Sequence, residues 1–302
     1  SEIAILAIGM TLTIAVSAGT DISVGSVMAL VASCCCTSLV GYGVSSASAV
    51  KHPIIFGVLF GILIGGICGC FNGFMVSKLK VQPMVATLVL YTAARAIGLV
   101  VSNNQITYVR VKEYKYLGNF WHIGNWECPI PTPIFVAIIC VILATILLKK
   151  TALGMYIQAV GINPKAARIM GINSALIIFI CYVICGLGAG VAGTVASSRI
   201  YSADSNNIGL NFEMDAILAV ALGGNSLAGG KFSLAGSIIG AYTIQALSTT
   251  LLAFGVKTEQ APVIKAIVII IIVAIQAPAI QSYIKNRKAR KASATGGEAV
   301  AK

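Results

Sequence analysis

The feature that most constrains this chain is a succession of apolar runs of about 20 residues, separated by short polar breaks. A helix of that length crosses the ~30 Å hydrocarbon layer of a lipid bilayer. The chain is 58% hydrophobic and 10% charged, and its mean hydropathy is +0.93. One soluble core cannot bury that much apolar surface. The sequence therefore predicts an all-α integral membrane protein, a polytopic helical bundle.

Nine of these runs are predicted to span the membrane. The run at 213–228 is short and flanked by glycines, so a half-helix or re-entrant segment is the alternative there. Residues 1–280 are expected to form a single transmembrane domain with a cytoplasmic segment at 149–174, followed by a disordered basic tail at 281–302. The predicted spans are 3–18, 24–44, 53–76, 83–101, 131–148, 175–197, 213–228, 231–253 and 259–280.

Positive charge beside the spans sets the expected orientation, because loops rich in Lys and Arg stay in the cytoplasm. With the C-terminus inside, inner segments carry 12 Lys or Arg and outer segments carry six. Topology thus accounts for the net charge of +12 better than nucleic acid does. Nine spans ending inside place Ser1 outside, so one further N-terminal helix is expected, ten in the intact subunit. The outer cations are Lys51, Arg110, Lys112, Lys115, Arg199 and Lys257.

Enzyme and cofactor signatures are missing from the sequence. Both histidines, His52 and His122, fall in predicted outer loops, and neither a metal-ligand spacing nor a nucleophile elbow is present. The stretch from Asn225 to Phe232 lacks the first Gly and the Ser or Thr of a phosphate-binding loop. No cofactor or metal is therefore expected on this chain, and any ATP and Mg²⁺ belong to a partner.

Two ionisable residues lie inside predicted spans, Arg95 and Lys265. Such residues are costly in lipid and are functional by default, so they could line an outward-facing vestibule; snorkelling toward the interface is the alternative. Neither has an obvious acidic partner within a span, which argues against a proton-coupled carrier.

Two polar segments complete the candidate translocation path or outer vestibule. The first is the break from Gly19 to Gly25, where Asp21 or Ser23 could simply cap the next helix. The second is 204–215, whose amides and carboxylates suit a hydroxyl-rich ligand or a docking protein, although a solvated loop explains them equally well. The candidate path residues are Asp21, Arg95, Asn206, Asn207, Glu213, Asp215 and Lys265.

Small residues recur every fourth position in two spans, a pattern that lets helix backbones approach closely in lipid. They predict packing within the subunit or, alternatively, a dimer seam or a moving helix contact. These residues are Gly61, Gly65, Gly69 and Gly73 in one span, and Gly186 and Gly190 in another.

Between the spans ending at 148 and starting at 175, start and stop signals outline a short helix from Pro164 to Met170. Asn163 is the expected N-cap and Gly171 follows the C-terminus. A helix this short needs a partner to hold it, and its apolar residues favour a protein. The residues expected to contact that partner are Gly161, Ile162, Asn163, Pro164, Lys165, Ala166, Ala167, Arg168, Ile169, Met170 and Gly171.

Three motifs together resemble the ribose/galactose/xylose-type family of ABC importer permeases. They are the TDISVGS stretch at 20–26, the segment 153–173, and the stretch from Asp215 to Gly230. The similarity runs from Ile5 to about Ile280, and KTALGM at 150–155 with ADSNN at 203–207 is most similar to the galactofuranose-type branch. The cysteines at 34–36 match no motif of that family.

This resemblance implies ten helices per subunit, a second permease subunit that is either identical or a related paralogue, a cytoplasmic ATPase with two nucleotide-binding domains, and a periplasmic sugar-binding protein. It also implies a place in the bacterial inner membrane, and it matches 161–172 to the family's coupling helix. The expected function is import of a monosaccharide, a pentose or hexose. A self-contained secondary carrier or channel for a small polar solute is the alternative.

Overall fold

The computed structural model describes residues 1–47, 49–120, 122–123, 126–127, 130–256 and 260–276. The end of the ninth predicted span and the basic tail at 281–302 lie outside the described residues. By their internal contacts the residues divide into two units, Ser1–Ile244 and the chain from Gln245 onward. The second unit holds the end of one helix and the whole of the next.

Helices dominate the described chain. Each of the nine predicted spans overlaps a described helix; the helix in the run at 213–228 ends six residues early, and the end of the ninth span lies outside the described residues. In chain order the helices are α1 (Glu2–Ser17), α2 (Val24–Val40), α3 (Ile54–Ser77), α4 (Pro83–Val101), α5 (Lys112–Lys115), α6 (Thr132–Lys150), α7 (Leu153–Ile162), α8 (Pro164–Ile169), α9 (Ser174–Ile200), α10 (Phe212–Leu222), α11 (Leu234–Ala253) and α12 (Ala261–Gln276).

Four of the described helices, α3, α4, α6 and α9, are long and apolar enough to cross a membrane, and α1, α2 and α7 are shorter apolar helices. Nearly every residue of α1 and α2 is buried, whereas α3 exposes large apolar side chains such as Leu63 and Ile67. Exposed apolar side chains on long helices suit contact with lipid. The prediction of a polytopic helical membrane protein is confirmed, with α1 and α2 at the centre of the first unit.

The run predicted at 213–228 forms a helix of only 11 residues, α10. That helix is about 16 Å long at 1.5 Å per residue, too short to cross the hydrocarbon layer. Gly223 ends it and Gly224 has a φ of 77°. The half-helix alternative therefore describes this segment.

The glycines spaced at four residues in α3 pack against those of α9 within the first unit. A Cβ on Gly65 would lie 2.8 Å from the Cα of Gly190, and one on Gly69 would lie 3.2 Å from the Cα of Gly186. Only glycine permits this backbone approach. Of the alternatives left open by the sequence, packing within the subunit is the one observed.

Three loops predicted on the outer side meet in a small sheet. The described strands are β1 (Ser46–Ala47), β2 (Thr107–Val109), β3 (His122–Ile123), β4 (Trp126–Glu127) and β5 (Ser202–Ala203). Strand β2 pairs in parallel with β1 and antiparallel with β5. Strands β3 and β4 form a separate hairpin. The ion pair of Glu2 with Arg199, 3.0 Å, joins the start of α1 to the end of α9. This end of the first unit is called the sheet end below.

Candidate functional site

The predicted short helix is present as α8, one residue shorter than expected. The Oδ1 atom of Asn163 accepts hydrogen bonds from the backbone N–H groups of Lys165, 3.0 Å, and Ala166, 3.1 Å. Pro164 is its first residue, and Gly171 follows with a φ of 84° that favours glycine. Both ends are therefore fixed by the local sequence.

Large apolar side chains are exposed on and beside α8. Ile169 is 89% exposed, Met170 is 68% exposed and Ile162, at the end of α7, is 69% exposed. Ala167, a predicted coupling residue, is fully buried at 0% and packs in a cluster with Ile157 and Val160 of α7. Ala167 thus holds α8 against the bundle, and its neighbours carry the accessible surface.

Helix α7 was not separated from the coupling segment by sequence reasoning. Its buried residues are Gly154, Ile157 and Val160, a spacing of three that marks one face of a short helix and could have revealed it. The pair formed by α7 and α8 (153–169) is called the coupling pair below.

The coupling pair contacts the bundle through a glycine. A Cβ on Gly161 would overlap the carbonyl oxygen of Ala15 and lie 2.8 Å from the nitrogen of Gly230. The Gly230 N–H donates a hydrogen bond to that same Ala15 oxygen, 2.9 Å. The end of α7 is thereby in backbone contact with the last turn of α1 and with the loop between α10 and α11.

Side-chain hydrogen bonds fix the conformation of the polar break between α1 and α2. Asp21 Oδ1 accepts hydrogen bonds from the Ser23 backbone N–H, 3.0 Å, and from the Ser23 hydroxyl, 2.6 Å. Ser23 is the N-cap residue of α2, as the capping alternative expected, but neither its side chain nor that of Asp21 accepts a hydrogen bond from the first N–H groups of the helix. Ser23 already has helical dihedral angles and its hydroxyl hydrogen is used by Asp21.

Asn72 of α3 completes this break. Its Nδ2 atom donates to Ser23 Oγ, 2.9 Å, and to Asp21 Oδ1, 3.3 Å, and the residue is 1% exposed. Sequence reasoning missed Asn72, although a single amide inside an apolar, glycine-rich run was a signal that could have found it.

Arg95 is hydrogen-bonded to the backbone of the segment 204–211. Its Nη1 atom donates to the carbonyl oxygens of Ser205, 2.8 Å, and Asn206, 2.7 Å, while Nη2 reaches that of Ile208, 3.5 Å. Its Nε atom donates to Ser26 Oγ at the start of α2, 3.4 Å. The guanidinium thus fastens the irregular segment 204–211 along α2 and α4.

That irregular segment runs from the sheet end to the start of α2, where it leads into α10. Ser205 Oγ lies 2.6 Å from Ser33 Oγ on α2, and farther along there is no space for a Cβ between Gly209 and Gly25. Gly209 has a φ of 68°, which favours glycine. The glycine-rich crossing lets the backbone of the segment reach that of α2.

The predicted path residues gather only in part. Glu213 is 3% exposed and its Oε2 atom lies against Gly25, so it is near the break that contains Asp21. Asp215 is buried two residues later on α10, whereas Asn206 and Asn207 are exposed on the segment. Lys265 lies half-buried on α12 in the second unit. Among the described residues no cluster of three or more His, Cys, Asp or Glu is placed to hold a metal ion.

Comparisons with known proteins agree with this architecture. The family described as "Branched-chain amino acid transport system / permease component" matches residues 1–273. The chain is 39% identical to the galactofuranose transporter permease protein YtfT of Escherichia coli (strain K12), over 96% of this chain and 81% of the relative. It is 38% identical to the fructose import permease protein FruF of Bifidobacterium longum (strain NCC 2705), over 98% and 80%.

A third relative is the ribose import permease protein RbsC of Escherichia coli (strain K12), 37% identical over 89% of this chain and 80% of the relative. No solved structure matches the chain. The match to the family covers most of the helical bundle, including the polar break, the coupling pair and α10. The chain therefore belongs to this family of permease components, integral membrane subunits of transport systems.

Proposed function

We propose that this chain is the membrane-spanning subunit of an ABC importer that passes a monosaccharide, a pentose or hexose, into the cytoplasm. A periplasmic sugar-binding protein delivers the solute at the sheet end. A separate ATPase with two nucleotide-binding domains binds ATP and Mg²⁺ and drives the cycle from the cytoplasmic side. The subunit works with a second permease subunit in the bacterial inner membrane, with its C-terminus in the cytoplasm.

The observation that carries this proposal is the coupling pair. An isolated helix of six residues is unstable in water, yet α8 is capped at both ends and presents Ile169 and Met170 to solvent. Exposed apolar side chains beside the cations Lys165 and Arg168 suit a protein partner. We assign residues 161–171 to the contact with the ATPase.

A path for the solute is proposed along the polar elements of the first unit. Its residues are Asp21 at the break, Arg95 of α4, Asn206 and Asn207 on the segment 204–211, and Glu213 and Asp215 on α10. Lys265, in the second unit, is proposed as a path residue only because it is an ionisable residue within a predicted span. A cavity of about 380 Å³ at the sheet end, lined in part by Asp204, Asn207 and Gly209, offers an entrance.

The family description names amino acids, whereas the relatives named above are sugar permeases. Local chemistry supports a sugar. The polar break presents carboxylate and amide oxygens, which accept hydrogen bonds from hydroxyl groups. The nearby guanidinium of Arg95 is engaged by three backbone carbonyls, so it is not available to a substrate carboxylate. A neutral hydroxylated solute fits this arrangement better than an amino acid.

The experiment replaces Ile169 with Glu in the complete transporter reconstituted in vesicles. The buried charge at the docking surface should abolish sugar uptake, or separate ATP hydrolysis from uptake, while the subunit still inserts. Leu79→Glu is the matched control, since Leu79 is also an exposed apolar residue, lies between Lys78 and Lys80, and is not part of the coupling pair. Normal uptake with Ile169→Glu would contradict the proposed coupling contact.

A self-contained secondary carrier is distinguished by the same preparation. Vesicles that hold only this chain and accumulate sugar on an ion gradient would overturn the assignment to an ABC importer. The expected result is no accumulation without the ATPase and ATP.

A further inference from the structure

Two buried oxygen atoms flank the first turn of α2 without a hydrogen-bond donor among the described residues: Asn72 Oδ1 and Glu213 Oε2. Both residues are more than nine-tenths buried, at 1% and 3% exposed. Buried polar atoms nearly always have a partner, so each such atom calls for an explanation. Two of them beside one polar break indicate a common cause.

The orientation of the Asn72 amide follows from its neighbours. Asp21 Oδ1 is a carboxylate oxygen and only accepts. The single hydroxyl hydrogen of Ser23 is donated to Asp21, 2.6 Å, so Ser23 Oγ is free only to accept. Both contacts therefore require the N–H₂ side of Asn72 to face them. A flipped amide would face two acceptors with an oxygen, and Oδ1 is consequently directed away from the Asp21–Ser23 pair.

Glu213, on α10, contacts the same turn of α2. Its Oε2 atom occupies the space that a Cβ of Gly25 would need, and Gly25 is two residues after Ser23. Asn72 contacts Ser23 and Glu213 contacts Gly25, so both side chains lie beside the first turn of α2. Together with Asp21 they bring several acceptors to this turn, two of them without a donor among the described residues.

The cavity at the sheet end extends to the residues that precede Glu213. Its lining includes Asp204, Asn207, Gly209 and Phe212. Gly209 is in direct backbone contact with Gly25, and Phe212 immediately precedes Glu213. The cavity therefore reaches the glycine crossing that lies beside Glu213.

We propose that Asp21, Asn72 and Glu213 form a solute-recognition site that accepts hydrogen bonds from the hydroxyl groups of the transported sugar. The proposal rests on the proposed function and deepens it: the membrane subunit itself selects neutral polyhydroxylated solutes, in addition to any selection by the receptor. Separation of Gly209 from Gly25 opens the site to the cavity. Asn72 is the central member, because its amide nitrogen is fixed by Asp21 and Ser23 and its oxygen is left for the ligand.

The test compares sugars with analogues in which fluorine replaces one hydroxyl group, since fluorine cannot donate a hydrogen bond. The complete transporter, with its ATPase and receptor, takes up labelled D-ribose, D-fructose and D-galactose and their fluorodeoxy analogues. The preference for each parent sugar over its analogue is measured for the wild type, Asn72→Leu and Glu213→Gln. Because the same receptor is used throughout, its contribution cancels between variants.

Asn225→Leu is the matched control. Asn225 is another buried asparagine, but its amide donates to Val220 O, 3.0 Å, and Ser237 Oγ, 2.9 Å, and its Oδ1 accepts from the Ser233 N–H. It has no oxygen left for a ligand, so its loss should reduce the amount of folded protein without changing the sugar preference. Asn72→Leu should lower the preference at one hydroxyl position by roughly three- to tenfold, the value of one hydrogen bond.

The outcomes separate cleanly. If the transporter does not assemble with the Asn72→Leu variant, the sugar preference of the isosteric Glu213→Gln variant tests the site. Unchanged preferences in the variants that assemble overturn the site and assign the unpartnered oxygens to water or structure. A changed dependence on Na⁺ with unchanged sugar preference overturns it in favour of a cation. If the wild-type complex takes up no sugar at all, the proposed function itself fails.

Discussion

The coupling pair and the segment 204–211, which precedes α10, differ in the contacts that fix their conformation. Helix α8 is defined by residues within ten positions of one another: Asn163 at its start, Pro164 inside and Gly171 after its end. The segment 204–211 is defined by residues far away in the chain, since it is fastened by Arg95 and passes Gly25 on α2. The conformation of the first region can therefore be predicted from the local sequence, whereas that of the second depends on contacts between distant residues that only the structure shows.

The difference also concerns tolerance to change. A capping side chain contributes about 1 kcal/mol and can be replaced by another acceptor. A glycine at a backbone crossing cannot be replaced by any larger residue without moving a helix or a loop. We therefore expect substitutions in the central region to have larger effects than those in the cap of the coupling pair.

The largest effect is expected from Gly25→Ala. The added Cβ would overlap both Glu213 Oε2 and the carbonyl oxygen of Gly209, and overpacking of this kind costs about 1–3 kcal/mol or more. Thermal unfolding of the purified subunit in detergent should occur at a lower temperature, and uptake should be lost. Gly188→Ala is the control, because its nearest neighbour would be 3.6 Å away. Equal behaviour of the two variants would contradict the tight crossing.

A smaller but more selective effect is expected from Gly161→Ala in the coupling pair. The new methyl group would push the end of α7 away from Ala15 and Gly230, which are the contacts that join the pair to α1 and to the loop before α11. ATP hydrolysis by the assembled transporter should persist, while sugar uptake per ATP falls about tenfold, equivalent to ~1.4 kcal/mol of lost coupling.

Gly171→Ala sharpens that comparison, since a Cβ added at Gly171 would meet no atom within 4 Å and only the positive φ opposes the change. It should cost about 1 kcal/mol of local stability and leave the ratio of uptake to hydrolysis near the wild-type value. The same loss of coupling in both glycine variants would mean that the Gly161 contact has no special role.

Most of the architecture could be predicted from the sequence, because apolar runs of membrane-spanning length are long and repeated. The α8 caps were also predictable, since Asn163 and Gly171 act on neighbouring residues. The role of Arg95 was not, because its partners are backbone carbonyls 110 or more positions away. A carbonyl is carried by every residue and leaves no trace in the sequence.

The candidate path illustrates the same limit. Asp21 and Glu213 were singled out as members of two polar segments, but the sequence does not say that both lie at the start of α2. Asn72 was overlooked because one amide in a glycine-rich span is easily explained by packing. Only its contacts with Asp21 and Ser23 distinguish it from a packing residue.

The smallest effect is expected at the cap itself, with Asn163→Ala. This change removes the acceptor for the Lys165 and Ala166 backbone N–H groups and should destabilise α8 locally by about 1 kcal/mol. Hydrogen exchange of those two amides should accelerate about fivefold, and uptake should fall by no more than that factor. Asn163→Asp keeps the acceptor oxygen and should restore slow exchange. Unchanged exchange in Asn163→Ala would show that burial of Ala167 alone holds the helix in place. Local capping would then not be the reason why the ends of α8 could be predicted from the sequence.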